Sequence, residues 1–138
     1  MAKNDELDKD SLKDIAWKGA RTVDGHDVNS ERMDACGAWI HYDDFENHNS
    51  EFGWEIDHVF PITKLRSLKI PRKLWNHATN LRAMHWLNNQ SKANSYPTYI
   101  SKVQAKNNNN VESVKTFYVE EALQYSLRCI FKIKSLGD

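Results

Sequence analysis

Asp57 and His58 stand side by side in the stretch Trp54-Glu55-Ile56-Asp57-His58-Val59, and Asn80 and Asn89 follow, nine residues apart. These residue types suit hydrolysis of a phosphodiester. That reaction needs a base to take a proton from the attacking water. It also needs positive charge to offset the pentavalent phosphorane and the leaving 3′ oxygen. A neutral imidazole can take that proton, which makes His58 the candidate base. Asp57 offers a hard oxygen to a divalent ion, and Asn89 offers a second through its amide carbonyl. One carboxylate and one amide leave positions for phosphate oxygens and water, which suits Mg²⁺, with Mn²⁺ the alternative.

The elements that carry these residues must hold them apart and then together. Neighbouring side chains on a strand point to opposite faces, so Asp57 and His58 cannot both ligate one ion from a regular strand. They flank one phosphate only if the strand ends and bends there, and Pro61 is placed to end it. The alternation over 54–59 predicts that strand, and Leu81 to Trp86 predicts a second. Residues 87–94 suit a short helix stopping before Pro97. Between the strands, 62–79 reads as a basic connection in which Pro71 opens a short helix through Leu74 and Trp75.

Upstream, Leu12, Ile15 and Ala16 predict a helix over about 10–19, capped by Asp10 or Ser11 and ended by Gly19, after a frayed segment 1–9. Residues 20–35 and 43–53 read as loops around a short strand in 37–42. Downstream, alternation over 99–103 and 111–119 about the run Asn107 to Asn110 predicts a hairpin. Leu123, Leu127, Ile130 and Phe131 then predict a closing helix over about 120–132. The whole is expected to be one α+β domain, with its motif in 54–94 and a C-terminal extension over 95–138.

The chain of 138 residues has a formal net charge of zero, but the charges are segregated. Residues 1–57 hold 15 acidic and 6 basic side chains. From His58 to Val111 there is no acid, and nine bases: Lys64, Arg66, Lys69, Arg72, Lys73, Arg82, Lys92, Lys102 and Lys106. A basic segment of this kind is the electrostatic footprint of a phosphate-binding face, and Lys64, Arg66, Arg72 and Lys73 are its candidates for gripping a nucleic-acid backbone. The alternative is a solvated charged surface. The two cysteines, Cys36 and Cys129, are too few for a disulfide framework or a four-cysteine zinc site, and are expected as thiols. The polar, acidic N-terminus and the lack of a long apolar run predict a cytoplasmic protein without a membrane span.

The segments WEIDHVFP and NLRAMHWLNNQSKAN together resemble the HNH motif of the ββα-metal (His-Me finger) nucleases. The family pattern is Asp-His, a variable loop, Asn-Leu, then His or Asn nine residues after that Asn, with Lys three further on. Asp57-His58, Asn80-Leu81, Asn89 and Lys92 match each element, and Glu55-Ile56 and Pro61 are typical companions. CGAWI and SEFGW extend the resemblance, to small bacterial and phage members, over 17–94. It implies a ββα-metal core with Asp57 and Asn89 on the metal and His58 as general base. Asn80 would be the residue that ties the loop and helps hold that base, and Arg82 and Lys92 would contact phosphate. The implied activity is one-metal endonucleolytic cleavage of DNA, leaving 5′-phosphate and 3′-hydroxyl ends, one strand per active site. A homodimer would then be needed for a double-strand break in one event. RNA cleavage, or nucleic-acid binding without catalysis, are the alternative readings. Members with a structural zinc carry paired cysteines. The second pair would fall at His85 and Asn88, so no zinc staple is expected, and the C-terminal hairpin and helix are the expected buttress.

Overall fold

The computed structural model describes residues 7–133, so most of the segment expected to fray, 1–6 of it, lies outside the described residues. It is a mixed α+β structure in which small antiparallel ladders are joined by helices. In chain order these are α1 (Lys9–Lys18), β1 (Glu31–Met33), β2 (Trp39–His41), β3 (Trp54–His58), α2 (Ile62–Ser67), β4 (Leu81–His85) and α3 (Trp86–Lys92). There follow β5 (Thr98–Ile100), β6 (Val103–Lys106), β7 (Asn109–Glu112), β8 (Thr116–Tyr118) and α4 (Glu121–Phe131). β1 pairs with β2 and β3 with β4. The C-terminal hairpin turns at Asn107 and is split into two ladders, β6–β7 near the turn and β5–β8 at its base.

The β3–β4 register decides what each face can do. Trp54, Ile56 and His58 stand opposite His85, Ala83 and Leu81, while Glu55 and Asp57 stand opposite Met84 and Arg82. Directly opposed residues of an antiparallel pair share a face. The first face packs on α1: Ala16, Trp17, Ile40, Trp54, Leu81 and Ala83 form one buried cluster. The second face turns to α3 and the C-terminal elements. There Met84 joins Val59, Phe60, Leu65, Tyr99, Val119, Leu127 and Phe131 in the other cluster. Gly19 lets α1 lie close to β4, because a Cβ there would come within 2.9 Å of the Leu81 carbonyl oxygen.

A buried polar node ties these layers together. Asp34 is fully buried, and its carboxylate accepts four hydrogen bonds. Its Oδ1 takes the N–H groups of Cys36 and Ala38 at 2.9 Å, which folds the β1–β2 turn. Its Oδ2 takes the His85 N–H and the Asn88 side-chain amide, both at 3.0 Å. Asn88 in turn accepts from the N–H groups of Lys102 and Val103 at 2.7 and 2.9 Å, and donates to the Val103 carbonyl. His85 and Asn88 thus hold a hydrogen-bonded junction. The His85 ring donates from Nε2 to the Glu51 carbonyl and accepts the Leu87 N–H at Nδ1, and its burial pushes its pKa down, so it stays neutral.

Several expectations shift. α1 is capped by Asp8, whose carboxylate accepts the Ser11 N–H, so Asp10 and Ser11 sit inside the first turn. Residues 31–33, read as loop, form β1 because β2 and a bridge from Arg21 supply partners far along the chain. Part of the basic connection is helical: α2 has six residues, too short to be stable alone, and is anchored by fully buried Leu65. That side chain contributes about 2 kcal/mol by burial. No helix among the described residues is long and apolar enough to cross a membrane. Both cysteines are free, Cys36 buried and Cys129 exposed.

Removing the Asp34 carboxylate strands buried N–H donors from three segments. Asp34→Ala is expected to cost about 3 kcal/mol or more, a fall in Tm of roughly 10 °C by thermal circular dichroism. Asn88→Ala should raise amide exchange first in the hairpin it anchors, around Lys102 and Val103. Uniform exchange across the chain would show that the node is not the anchor.

Candidate active site

His58 ends β3 on the α1 side of the hairpin. Its Nε2 lies 2.6 Å from Asn76 Oδ1. With that oxygen accepting, Nε2 carries the proton and Nδ1 keeps a free lone pair. His58 and Asn76 line an open cavity of about 540 Å³ together with Arg66, Arg72, Lys73, Trp75 and, from the N-terminal side, Leu7 and Leu12. Arg66, Arg72 and Lys73 are exposed at its rim, and Arg66 lies over the Trp75 ring. Lys64 is exposed on α2 but outside that lining.

The loop that carries Asn76 is held by Asn80, which is fully buried. Asn80 Oδ1 accepts the Phe60 N–H at 2.7 Å, and its amide donates to the Phe60 and Trp75 carbonyls at 3.2 and 3.1 Å. Its own carbonyl accepts the Val59 N–H. One side chain therefore fixes both the strand end just after His58 and the loop just before Asn76.

Asp57 points the other way and is closed in. Only 3% of its side chain is exposed. Its Oδ2 accepts from Arg82 Nε at 2.8 Å, and its Oδ1 lies 3.1 Å from Lys92 Nζ. Lys92 is fully buried and also donates to the His58 and Val59 carbonyls, at 3.2 Å each, so all three of its N–H bonds have acceptors. Burial pulls the Lys92 pKa down, against the pull of Asp57. Burial also lowers that of Arg82, but Asp57 and then Tyr99 more than reverse it. The Arg82 guanidinium lies over the Tyr99 ring, and its buried Nη2 has no hydrogen-bond partner there. Arg82 and Lys92 thus face inward to a carboxylate, not outward to a phosphate.

Asn89, half-buried on α3, does not meet Asp57 through a hydrogen bond. Its amide donates to Glu55 Oε1 at 2.9 Å, and Glu55 Oε2 lies 2.6 Å from His48 Nε2. The period-two relation of Glu55 to Asp57 was a sequence signal for this carboxylate. Asn76 had none, because only the folded loop brings it to His58.

The donor types at Asp57 and Asn89 are those Mg²⁺ uses, but their arrangement does not fit an ion between them. Both Asp57 oxygens face built-in cations, and the buried trio of Asp57, Arg82 and Lys92 is net positive, so a divalent ion would be repelled. Among the described residues, no three His, Cys, Asp or Glu side chains form a group that could hold a metal.

The clasp makes a distinction that stability can measure. Lys92→Met removes the buried donor to Asp57 Oδ1 and to the His58 and Val59 carbonyls and should destabilise the protein by about 3 kcal/mol in urea unfolding. A surface phosphate contact would instead leave stability alone and lower the salt dependence of DNA binding by about one ion. The chain matches no protein-family model, no curated protein and no solved structure.

Proposed function

We propose that this chain hydrolyses nucleic-acid phosphodiesters, with DNA as substrate, and that β3, the loop over 59–80, β4 and α3 form a ββα finger of the HNH kind. The observation that carries this reading is His58. It is the half-buried imidazole of the hairpin, oriented by Asn76, and it opens into a cavity rimmed by Arg66, Arg72 and Lys73. A base beside concentrated positive charge is what attack of water on a phosphodiester requires.

The steps assigned to this chain's own groups are few. The rim cations hold the phosphate backbone by charge and position one phosphorus near His58. Nδ1 of His58 takes the proton of the attacking water, while Asn76 holds Nε2–H and so fixes the ring's tautomer. Asn80 keeps the two parts of that arrangement in register. A divalent ion, which the HNH resemblance implies, would neutralise charge on the phosphorane and the leaving oxygen. The Asp57 arrangement does not present a place for it.

Incubation with supercoiled plasmid tests the proposal. Wild type should yield nicked circles before linear DNA, since each chain has one His58. His58→Ala should lower the nicking rate by about 10² or more while DNA retention persists. Arg66→Ala and Lys73→Ala should each weaken retention and reduce its salt slope by about one. Equal nicking by His58→Ala would sink the reading, and a parallel digest of RNA decides the substrate.

A further inference from the structure

The cavity that His58 opens into has two kinds of lining, and attack on a phosphate uses only one of them. Arg66, Arg72 and Lys73 supply charge at the rim. Leu7, Leu12, Ile62 and Trp75 supply an apolar wall. Leu7 is a large apolar side chain, yet 49% of it is exposed. Trp75 is fixed in place. It packs against the cluster of Met84, Val59 and Phe60, and its indole N–H donates to the Ile70 carbonyl at 2.9 Å. The guanidinium carbon of Arg66 lies 5.4 Å from its ring centroid. Among the described residues that line the cavity there is no acid.

We propose that this cavity takes one unstacked nucleotide, base as well as phosphate, so that the preferred substrate is single-stranded DNA or a locally opened duplex. A paired duplex turns its phosphates outward and keeps its bases stacked inside. It can reach the rim cations but leaves the apolar wall facing water. A nucleotide out of the stack joins a planar, largely apolar ring to an anion, which matches the two linings. The volume of about 540 Å³ falls within the range of about 300–1,000 Å³ usual for small-ligand pockets, which are mainly apolar with a few polar groups. Single-strand sites in general combine the same two parts, a cationic track for the backbone and ring or apolar surface for bases.

Arg66 serves both parts. Its charge belongs to the rim, and its plane, held near the Trp75 ring, is itself a surface on which a base can stack. With the base on the wall, its phosphate falls to rim cations that line the same cavity as His58. A supercoiled plasmid offers locally opened sites of this kind. The proposal rests on the nuclease reading only for the cut that follows; the seating of a nucleotide is a binding property and stands independently of it.

Fluorescence anisotropy of labelled oligonucleotides with the full chain, in EDTA and with strand integrity checked on a gel, is the test. Three probes of equal length are compared: a single strand, its duplex, and a single strand of abasic residues. Charge alone favours the duplex, whose phosphates are more densely spaced. The expected order is the reverse, with the single strand bound roughly tenfold tighter than either of the others. Leu7→Ser, at an exposed position, and Ile62→Ser should each weaken the single strand several-fold and leave the abasic strand unchanged, with folding checked by circular dichroism. Lys73→Ala should weaken all three probes. An abasic strand that binds as tightly as the normal one overturns the proposal, whatever the variants do. So does a duplex that binds as tightly as the single strand, or a failure of all three to bind. Those outcomes leave any His58-dependent nicking of plasmid standing, and loss of that nicking would not alter the order of affinities.

Discussion

Four hydrogen bonds converge on the carboxylate of Asp34, and the arrangement of the molecule follows from where their donors come from. Cys36 and Ala38 belong to the β1–β2 turn, His85 ends β4, and Asn88 lies on α3. Asn88 then carries the connection on to Lys102 and Val103 of the C-terminal hairpin. A carboxylate buried without a cation is costly unless donors satisfy it, and hydrogen bonds to a charged group are worth about 1.5–3 kcal/mol each. The junction therefore holds only when all its members are in place. Such all-or-none satisfaction lets a few polar atoms set the mutual positions of segments whose individual ladders have only three to five residues.

With α3 fixed in this way, the β3–β4 hairpin is covered on both faces, and its alternation divides the labour. The α1 face ends in His58, half-buried and beside open space. The α3 face carries Asp57, sealed by Arg82 and Lys92. Replacing such a buried ionic trio with apolar groups often costs little, but removing one member is severe. The trio's value here lies in geometry. Lys92 reaches the carbonyls of His58 and Val59, so the last turn of α3 holds the end of the strand from which the His58 imidazole projects.

Periodicity made most of the fold legible. β3, β4, α3 and α4 follow alternation or helical spacing, and the C-terminal hairpin follows two alternating runs around an Asn turn. α2 and β1 were not legible, since one buried Leu65 gives no period and the partners of β1 come from distant segments. The residues around His58 and Asp57 divide in the same way. Types and spacing singled out Asp57, His58, Asn80 and Asn89, but not who would neighbour them. In the sequence Asp57 offers an open oxygen, because nothing local reveals that Arg82 stands opposite it in register or that Lys92 has no exposed surface. Asn76 and His48 are ordinary loop residues until the loops close.

The basic middle of the chain shows why a linear count of charge needs the fold to interpret it. Of its nine bases, Arg82 and Lys92 are consumed inside by Asp57, Lys102 pairs with Glu112 at 3.2 Å, and Lys106 ends β6. Lys64, Arg66, Lys69, Arg72 and Lys73 lie on the exposed stretch between β3 and β4. At physiological salt, charges farther apart than about 8 Å are largely screened from each other. On the proposed function, a phosphate beside His58 would respond to the cations of that stretch and not to the molecule's zero net charge. The hairpin hides two cations to brace the strand end, while Arg66, Arg72 and Lys73 line the cavity into which the imidazole opens.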